Sequence, residues 1–510
     1  LDLCDDEGLL SNGRVWLQAD DIDLKPWLGK WMQDNIALET AQFSLEGWMT
    51  IDKGDVTGGD VWLKQGGASW LGEKETHTLS VDNLTAHITR ENPGWQFSIP
   101  DTRLTMDGKP WPSGALTLAW IPEQDVGGKD NKRSDELRIR TSNLELAGLE
   151  GVRPLVAKLS PALGDVWRST QPSGKINTLA LDIPLQAADK TRFQASWSDL
   201  AWKQWKLLPG AEHFSGTLSG SVENGLLTAS MKQAKMPYET VFRAPLEIAD
   251  GQATISWLNN DKGFQLDGRN IDVKAKAVHA RGGFRYLQPA NDEPWLGILA
   301  GISTDDGSQA WRYFPENLMG KDLVDYLSGA IQGGGADNAT LVYGGNPQLF
   351  PYKHNEGQFE VLVPLRNAKF AFQPDWPALT NLDIELDFIN DGLWMKTDGV
   401  NLGGVRASNL TAVIPDYSKE KLLIDADIKG PGKAVGPYFD ETPLKDSLGA
   451  TLQELQLDGD VNARLHLDIP LNGELVTAKG EVTLRNNSLF IKPLDSTLKN
   501  LSGKFSFINS

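Results

Sequence analysis

"LQLDGDVNARLHLDIPL", residues Leu455–Leu471, alternates along its whole length. Its odd positions hold Leu455, Leu457, Gly459, Val461, Ala463, Leu465, Leu467, Ile469 and Leu471. Between them stand Gln456, Asp458, Asp460, Asn462, Arg464, His466, Asp468 and Pro470. A period of two puts one apolar and one wetted face on a β-strand. At about 3.3 Å per residue the stretch would span roughly 55 Å, whereas the usual strand has about 5–6 residues. A strand this long with one apolar face needs a fold that covers that face throughout.

The pattern recurs. Leu179, Leu181, Ile183 and Leu185 alternate in "TLALDIPLQ", and Ile271, Val273, Ala275 and Ala277 in "NIDVKAKAVH". Phe359, Val361, Val363 and Leu365 alternate in "QFEVLVPLRN", and Leu382, Ile384, Leu386 and Phe388 in "NLDIELDFIN". Turn dipeptides separate such segments: Asp107-Gly108, Asn224-Gly225, Asp250-Gly251 and Asp391-Gly392. They predict antiparallel strands in up-and-down order. The triplet Gly333–Gly335 in "QGGGAD" reads as a flexible turn.

Helical patterns are few. "KPWLGKWMQ" sets Trp27 and Trp31 four residues apart, and "GLEGVRPLVAKLSPAL" lines up Leu149, Val152, Val156 and Leu159 until Pro161. "FPENLMGKDLVDYLSGAI" begins at Pro315 and lines up Leu323, Leu327 and Ile331, with Val324 beside them; "PLKDSLGATL" is weaker. These segments follow strands ending near Leu24, Leu146, Leu287 and Ile428, a spacing of about 120–140 residues that marks a repeat. "LDIPL" occurs twice, at Leu181–Leu185 and Leu467–Leu471. A smaller unit of Pro, alternating strand and Asn turn runs through Leu208–Leu226 and Trp376–Leu393 and begins again at Lys492. Because that last copy stops at Ser510, a fragment of a longer chain is expected.

Composition narrows the function. With 510 residues, 40% hydrophobic and 23% charged, the chain is globular, and no run approaches the roughly 20 apolar residues of a membrane span. Lone Cys4 allows no internal disulfide, which suits cytosol or periplasm alike. The net charge of -19 and the absence of a basic run beyond Lys132-Arg133 argue against nucleic acid. The histidines, His77, His87, His213, His279, His354 and His466, form no metal-ligand spacing. No nucleophile elbow, phosphate loop or dinucleotide fingerprint stands in context. Asp425/Asp427 and Asp458/Asp460 share the wet face of a strand, as i, i+2 residues must. No enzyme activity and no cofactor or metal is expected.

An apolar face must be covered. Sandwiches keep strands short, and β-helices have short rungs with hard corners. The remaining solution is mainly β: a long, curved antiparallel sheet forming an elongated U-shaped hydrophobic groove, with a few short helical inserts. Repeats then add length without closing. The expected organisation is one β-groove of approximate units 1–136, 137–280, 281–420 and 421–510.

The stretch Trp311–Leu379, with its "YFP", "GG", "YGGNP…FPY" and "WP.L" landmarks, resembles the AsmA-like family of Gram-negative bacteria. "KPWL" and "GPGKAVGPYF" fit it too. The resemblance covers the whole chain as a middle portion of such a protein. It implies a periplasmic bridge, anchored to the inner membrane in full-length form, that carries phospholipids between inner and outer membranes and supports the permeability barrier. It further implies a link to enterobacterial common antigen, likeness to eukaryotic bridge-like lipid transfer proteins, and no catalytic residues; a monomer is expected. The groove lining would be Leu179, Leu181, Ile183, Leu185, Ile271, Val273, Phe359, Val361, Val363, Leu382, Ile384, Leu386, Phe388, Leu457, Val461, Leu465, Leu467 and Ile469. A carboxylate at Leu465 or Ile384 should then block the path and spare the fold. Two other readings compete: an envelope scaffold with a filled core, and a glycan binder using some of the 18 Trp.

Overall fold

The computed structural model describes residues 11–27, 37–91, 93–111, 114–125, 132–133, 135–159, 161–206, 208–372, 375–472 and 474–509. Strand accounts for 65% of the chain, so the fold is mainly β, as the alternation requires. Twenty-seven strands belong to one antiparallel sheet that does not close into a barrel. Gln124–Asp125 and Lys132–Arg133 pair separately. Contacts divide the chain into a first unit, Leu1–Pro237 with Gln252–Lys262, and a second, Tyr238–Gly251 with Gly263–Ser510.

Many long strands in both units contain a single residue in left-handed backbone. Asp21, Asn83, Asn143, Asp199, His213, Asn270, Asn367, Asn381, Asn409, Asn486 and Asn500 have φ between 48 and 61°. Asn and Asp dominate because their short polar side chains tolerate this region, which costs other L-residues about 1–2 kcal/mol. Pairing register slips around such residues, between Ala19 and Ile22, Trp197 and Leu200, Gly268 and Ile271, Leu365 and Ala368, and Leu484 and Asn487. A bulge of this kind bends its strand and strengthens the local twist.

The small Pro–strand–Asn repeat is built around these corners. Its three copies contain the strands Ala211–Ser221, Leu379–Ile389 and Ser496–Asn509. In each, a left-handed residue (His213, Asn381, Asn500) meets another on the preceding strand (Asp199, Asn367, Asn486). The preceding residue's N–H donates to a side chain two residues past its partner: Asp199 to Ser215 Oγ (3.2 Å), Asn367 to Asp383 Oδ1 (3.1 Å) and Asn486 to Ser502 Oγ (3.0 Å). A recurring sequence thus encodes a recurring braced corner.

The opening stretch proves to be two strands. Leu455–Asp458 pairs with Thr477–Ile491, whereas Asp460–Pro470 lies between Lys421–Pro431 and Thr477–Ile491. Gly459 divides them at φ +91°, and its carbonyl accepts from Gly432 N–H (2.8 Å). Buried Asn487 bridges the break: Nδ2 donates to the carbonyls of Asp458 (3.1 Å) and Asp460 (2.9 Å), and Oδ1 accepts from Arg485 N–H (2.7 Å). A Cβ at Gly459 would stand 2.9 Å from Nδ2.

Other local expectations change. Asp250-Gly251 lies inside the strand Leu246–Asn260, where ladder pairing overrides turn propensity. Gly333–Gly335 lies inside Ile331–Gly345; a Cβ at Gly334 would meet the Ala368 Cα and the Arg366 carbonyl at 3.0 Å, so the triplet permits close backbone approach. Pro161 begins the helix Pro161–Thr170 instead of ending helicity, because its missing N–H costs nothing in a first turn. The helix Lys321–Ala330 follows the strand Trp295–Thr304, not one ending near Leu287, and Ile331 opens the next strand. Of the first helical stripe, Trp27 sits in a 3-10 turn, 78% exposed, and Trp31 lies outside the described residues.

Asn487→Ala should lower stability by about 2 kcal/mol, through the hydrogen bonds it removes, as read by urea unfolding. In the same measurement Asn367→Val should cost about 1–3 kcal/mol and Asn367→Gly almost nothing, because only the former is strained at that φ.

Candidate functional site

The pairing register assembles the alternating residues into apolar rows. In the first unit Phe97 stands opposite Leu118, then Ile139, Leu181 and Phe193 follow on successive strands. A parallel row runs Ile99, Leu116, Thr141, Leu179, Ala195, Leu218 and Leu227. Leu179, Leu181 and Ile183 are only half-buried here, and Leu185, just past its strand, is 48% exposed. A small buried cluster of Val81, Leu84, Ala86 and Ile99 completes the unit's interior.

In the second unit one row runs Ile271, Gly282, Ala300, Leu341, Val361, Phe388, Leu393 and Ile414. Another runs Val363, Leu386, Met395, Ala412, Ile424, Leu467 and Ala478. Ile271, Gly282, Ala300, Leu341 and Val361 stay half-buried, and the face beyond them is packed. Leu382, Ile384, Leu386, Phe388, Leu467 and Ile469 are buried in one cluster with Leu323 and Leu327 of the helix Lys321–Ala330. Val361, Val363 and Leu465 pack against it, while Ile271, Val273 and Phe359 are half-buried. Arg243, paired with Glu316 and with Asp325 (2.6 Å), ties that helix down.

At one place in this unit the protein leaves the face unfilled. A cavity of about 390 Å³ lies between strand residues Ile428, Val461, Leu465, Val482 and Phe507 and insert residues Val435, Tyr438, Phe439, Leu448 and Leu452. Leu457 also lines it. Its side-chain wall is hydrocarbon except at Tyr438, Thr451 and Arg464. Burial pushes the Tyr438 phenol up to about 12, so it stays protonated at neutral pH. The insert residues escaped the reading of alternation because they lie on short helical turns. Val482 and Phe507 were legible, since Gly480, Val482 and Leu484, like Phe505 and Phe507, alternate.

The opposite face is wet and ion-paired. Asp425 bonds His466 (3.0 Å) and Asp427 accepts from Asn409 (3.0 Å). His87, His213 and His279 likewise bond Asp60, Asp199 and Asp272, whereas His77 bonds Asp107 on the apolar side, beside buried Trp70. Among the described residues no three potential ligands converge as a metal site, and no helix is long and apolar enough to cross a membrane.

The two apolar faces should respond differently to truncation. Ile384→Ala, in the packed cluster, should cost about 2–5 kcal/mol, and Leu181→Ala about 1 kcal/mol or less, in denaturant unfolding. A carboxylate at Ile384 would be sealed among hydrocarbon and should unfold the chain. Leu465→Asp, on the cavity wall, should fold.

Comparison with known proteins agrees with this architecture. The profile of the family described as YhdP protein matches residues 2–510. The intermembrane phospholipid transporter YhdP of Escherichia coli (strain K12) is 98% identical over 510 residues, covering 100% of this chain. The chain spans 40% of the length of that curated relative. No solved structure matches. With the match running through both units, the chain belongs to the YhdP family.

Proposed function

We propose that this chain is a stretch of a phospholipid conduit in the periplasm, linking inner and outer membranes through parts of the protein outside it. Acyl chains lie on the apolar face and headgroups remain in water. The observation that carries this reading is the pair of apolar rows in the first unit, whose members, Ile99 excepted, stay half-buried although five to seven strands contribute to each. An apolar face that the protein does not itself bury can be covered by hydrocarbon, at about 0.8 kcal/mol per CH₂ removed from water. Neighbouring positions on a row offer similar surface, so displacement along it changes that energy little. The near-identical relative is named an intermembrane phospholipid transporter, which supports the same reading.

On this proposal the chain acts without catalysis or cofactor, as a monomer, and the lining comprises the alternating residues from Leu179 to Ile469. The four repeat units would each contribute a length of groove. A scaffold with a filled core is the second reading, favoured by the packed cluster around Leu386 and Met395. Organic extraction of the purified chain, followed by mass spectrometry, should yield phospholipid. A photo-reactive residue at Leu181 should label that lipid, and one at Asp182, on the wet face, should not. Equal labelling from both, or lipid-free protein, would favour the scaffold.

A further inference from the structure

The cavity of the second unit differs from the rest of its face. Elsewhere the protein fills the space with its own side chains, as at Leu386, Leu393 and Ile414, all buried in the cluster. Here the small residue Ala463 stands on the floor and about 390 Å³ is left. Protein interiors are close-packed, so a void of this size forfeits contacts unless something occupies it. Water is a poor occupant, because it needs about 2–4 polar partners and this wall is almost wholly hydrocarbon.

The roof is made of short elements. It consists of Val435–Phe439, about one turn long, and of Lys445–Gly449 continuing directly into Ala450–Glu454, both below the about 12–15 residues at which a helix is stable by itself. Its polar ties include Gly432 N–H to the Gly459 carbonyl at its root and Gln453 Nε2 to Asp440 Oδ1 within it (2.9 Å). Among the lining residues Leu455 and Phe505 are 37% and 45% exposed, so the apolar lining reaches water.

We infer that this cavity is a holding site for a single acyl chain of a phospholipid, roofed by residues 432–454, with the headgroup outside it in water. The inference rests on the reading of the apolar face as a lipid path. It adds that the path is not uniform: a chain that reaches this point is enclosed, and passage here is a discrete step of entry and release.

The test places a photo-reactive residue at Leu457, Leu181 or His466 of the full 510-residue chain, with vesicles of dioleoylphosphatidylcholine as probe. Label from Leu457 should saturate at one lipid per chain and be displaced by free decanoate, while His466, outside the cavity and bonded to Asp425 on the wet face, gives no saturable label. Val482→Phe, which fills the floor, should cut the Leu457 label at least about tenfold and leave the Leu181 label intact. Val482→Ala should keep both. Label from Leu181 with none from Leu457 overturns the holding site and leaves the conduit standing; label from neither overturns both. A Leu457 label that Val482→Phe leaves unchanged in a folded chain also overturns it. Should Val482→Phe melt early, the unsubstituted chain decides: saturation and displacement support the site, and a label rising linearly with vesicle concentration overturns it.

Discussion

The long strands of this protein carry one face that water disfavours, and the rest of the structure follows from the need to cover it. Hydrogen bonds between strands satisfy the backbone but do nothing for that face. The two units answer differently. In the second, side chains from successive strands interlock with helical turns, and residues such as Leu393, Ala412 and Ile414 lose all contact with water. In the first, Leu179, Leu181 and Ile183 keep part of their surface in solvent. On the proposed lipid path, faces of the second kind hold the sheet together and faces of the first kind are where cargo would supply the missing cover.

Corners make long strands usable. A left-handed residue within a strand bends it, and the slipped register concentrates that bend at one point. Asn367 with Asn381, and Asn486 with Asn500, place two corners side by side and brace them with one hydrogen bond. The same device recurs in both units, so each repeat brings its own bend. Gly459, stabilised by Asn487, is a sharper version: the strand stops, the chain steps, and pairing resumes with a different set of neighbours.

The wet face has its own logic. Asp60–His87 and Asp425–His466 hydrogen bonds and the Lys64–Glu46 ion pair run across strands. Such exposed pairs contribute little stability each, but charged side chains discourage apolar contact between copies. A net charge of -19 acts in the same direction. Carboxylates at i, i+2 along a strand are therefore surface, and Asp425 and Asp427 have separate partners, His466 and Asn409.

Face assignment was legible in the sequence because it depends on local periodicity alone: once Leu382, Ile384, Leu386 and Phe388 alternate in a strand, they must share a side. The mainly β class followed from the same property, and the antiparallel order from the turn dipeptides between alternating segments. Whether a residue on that side is sealed or half-open could not be read, because it depends on what lies above it. Ile384 and Leu181 look alike in sequence, and only the presence or absence of packed helices and neighbouring rows separates them. The break at Gly459 was likewise hidden, since glycine does not disturb alternation and its cause, Asn487, is distant in the chain. The cavity was hidden for the same reason. Its roof comes from short turns with no usable period, its floor from Val461, Leu465 and Val482, and its volume from how poorly the two fill the space between them.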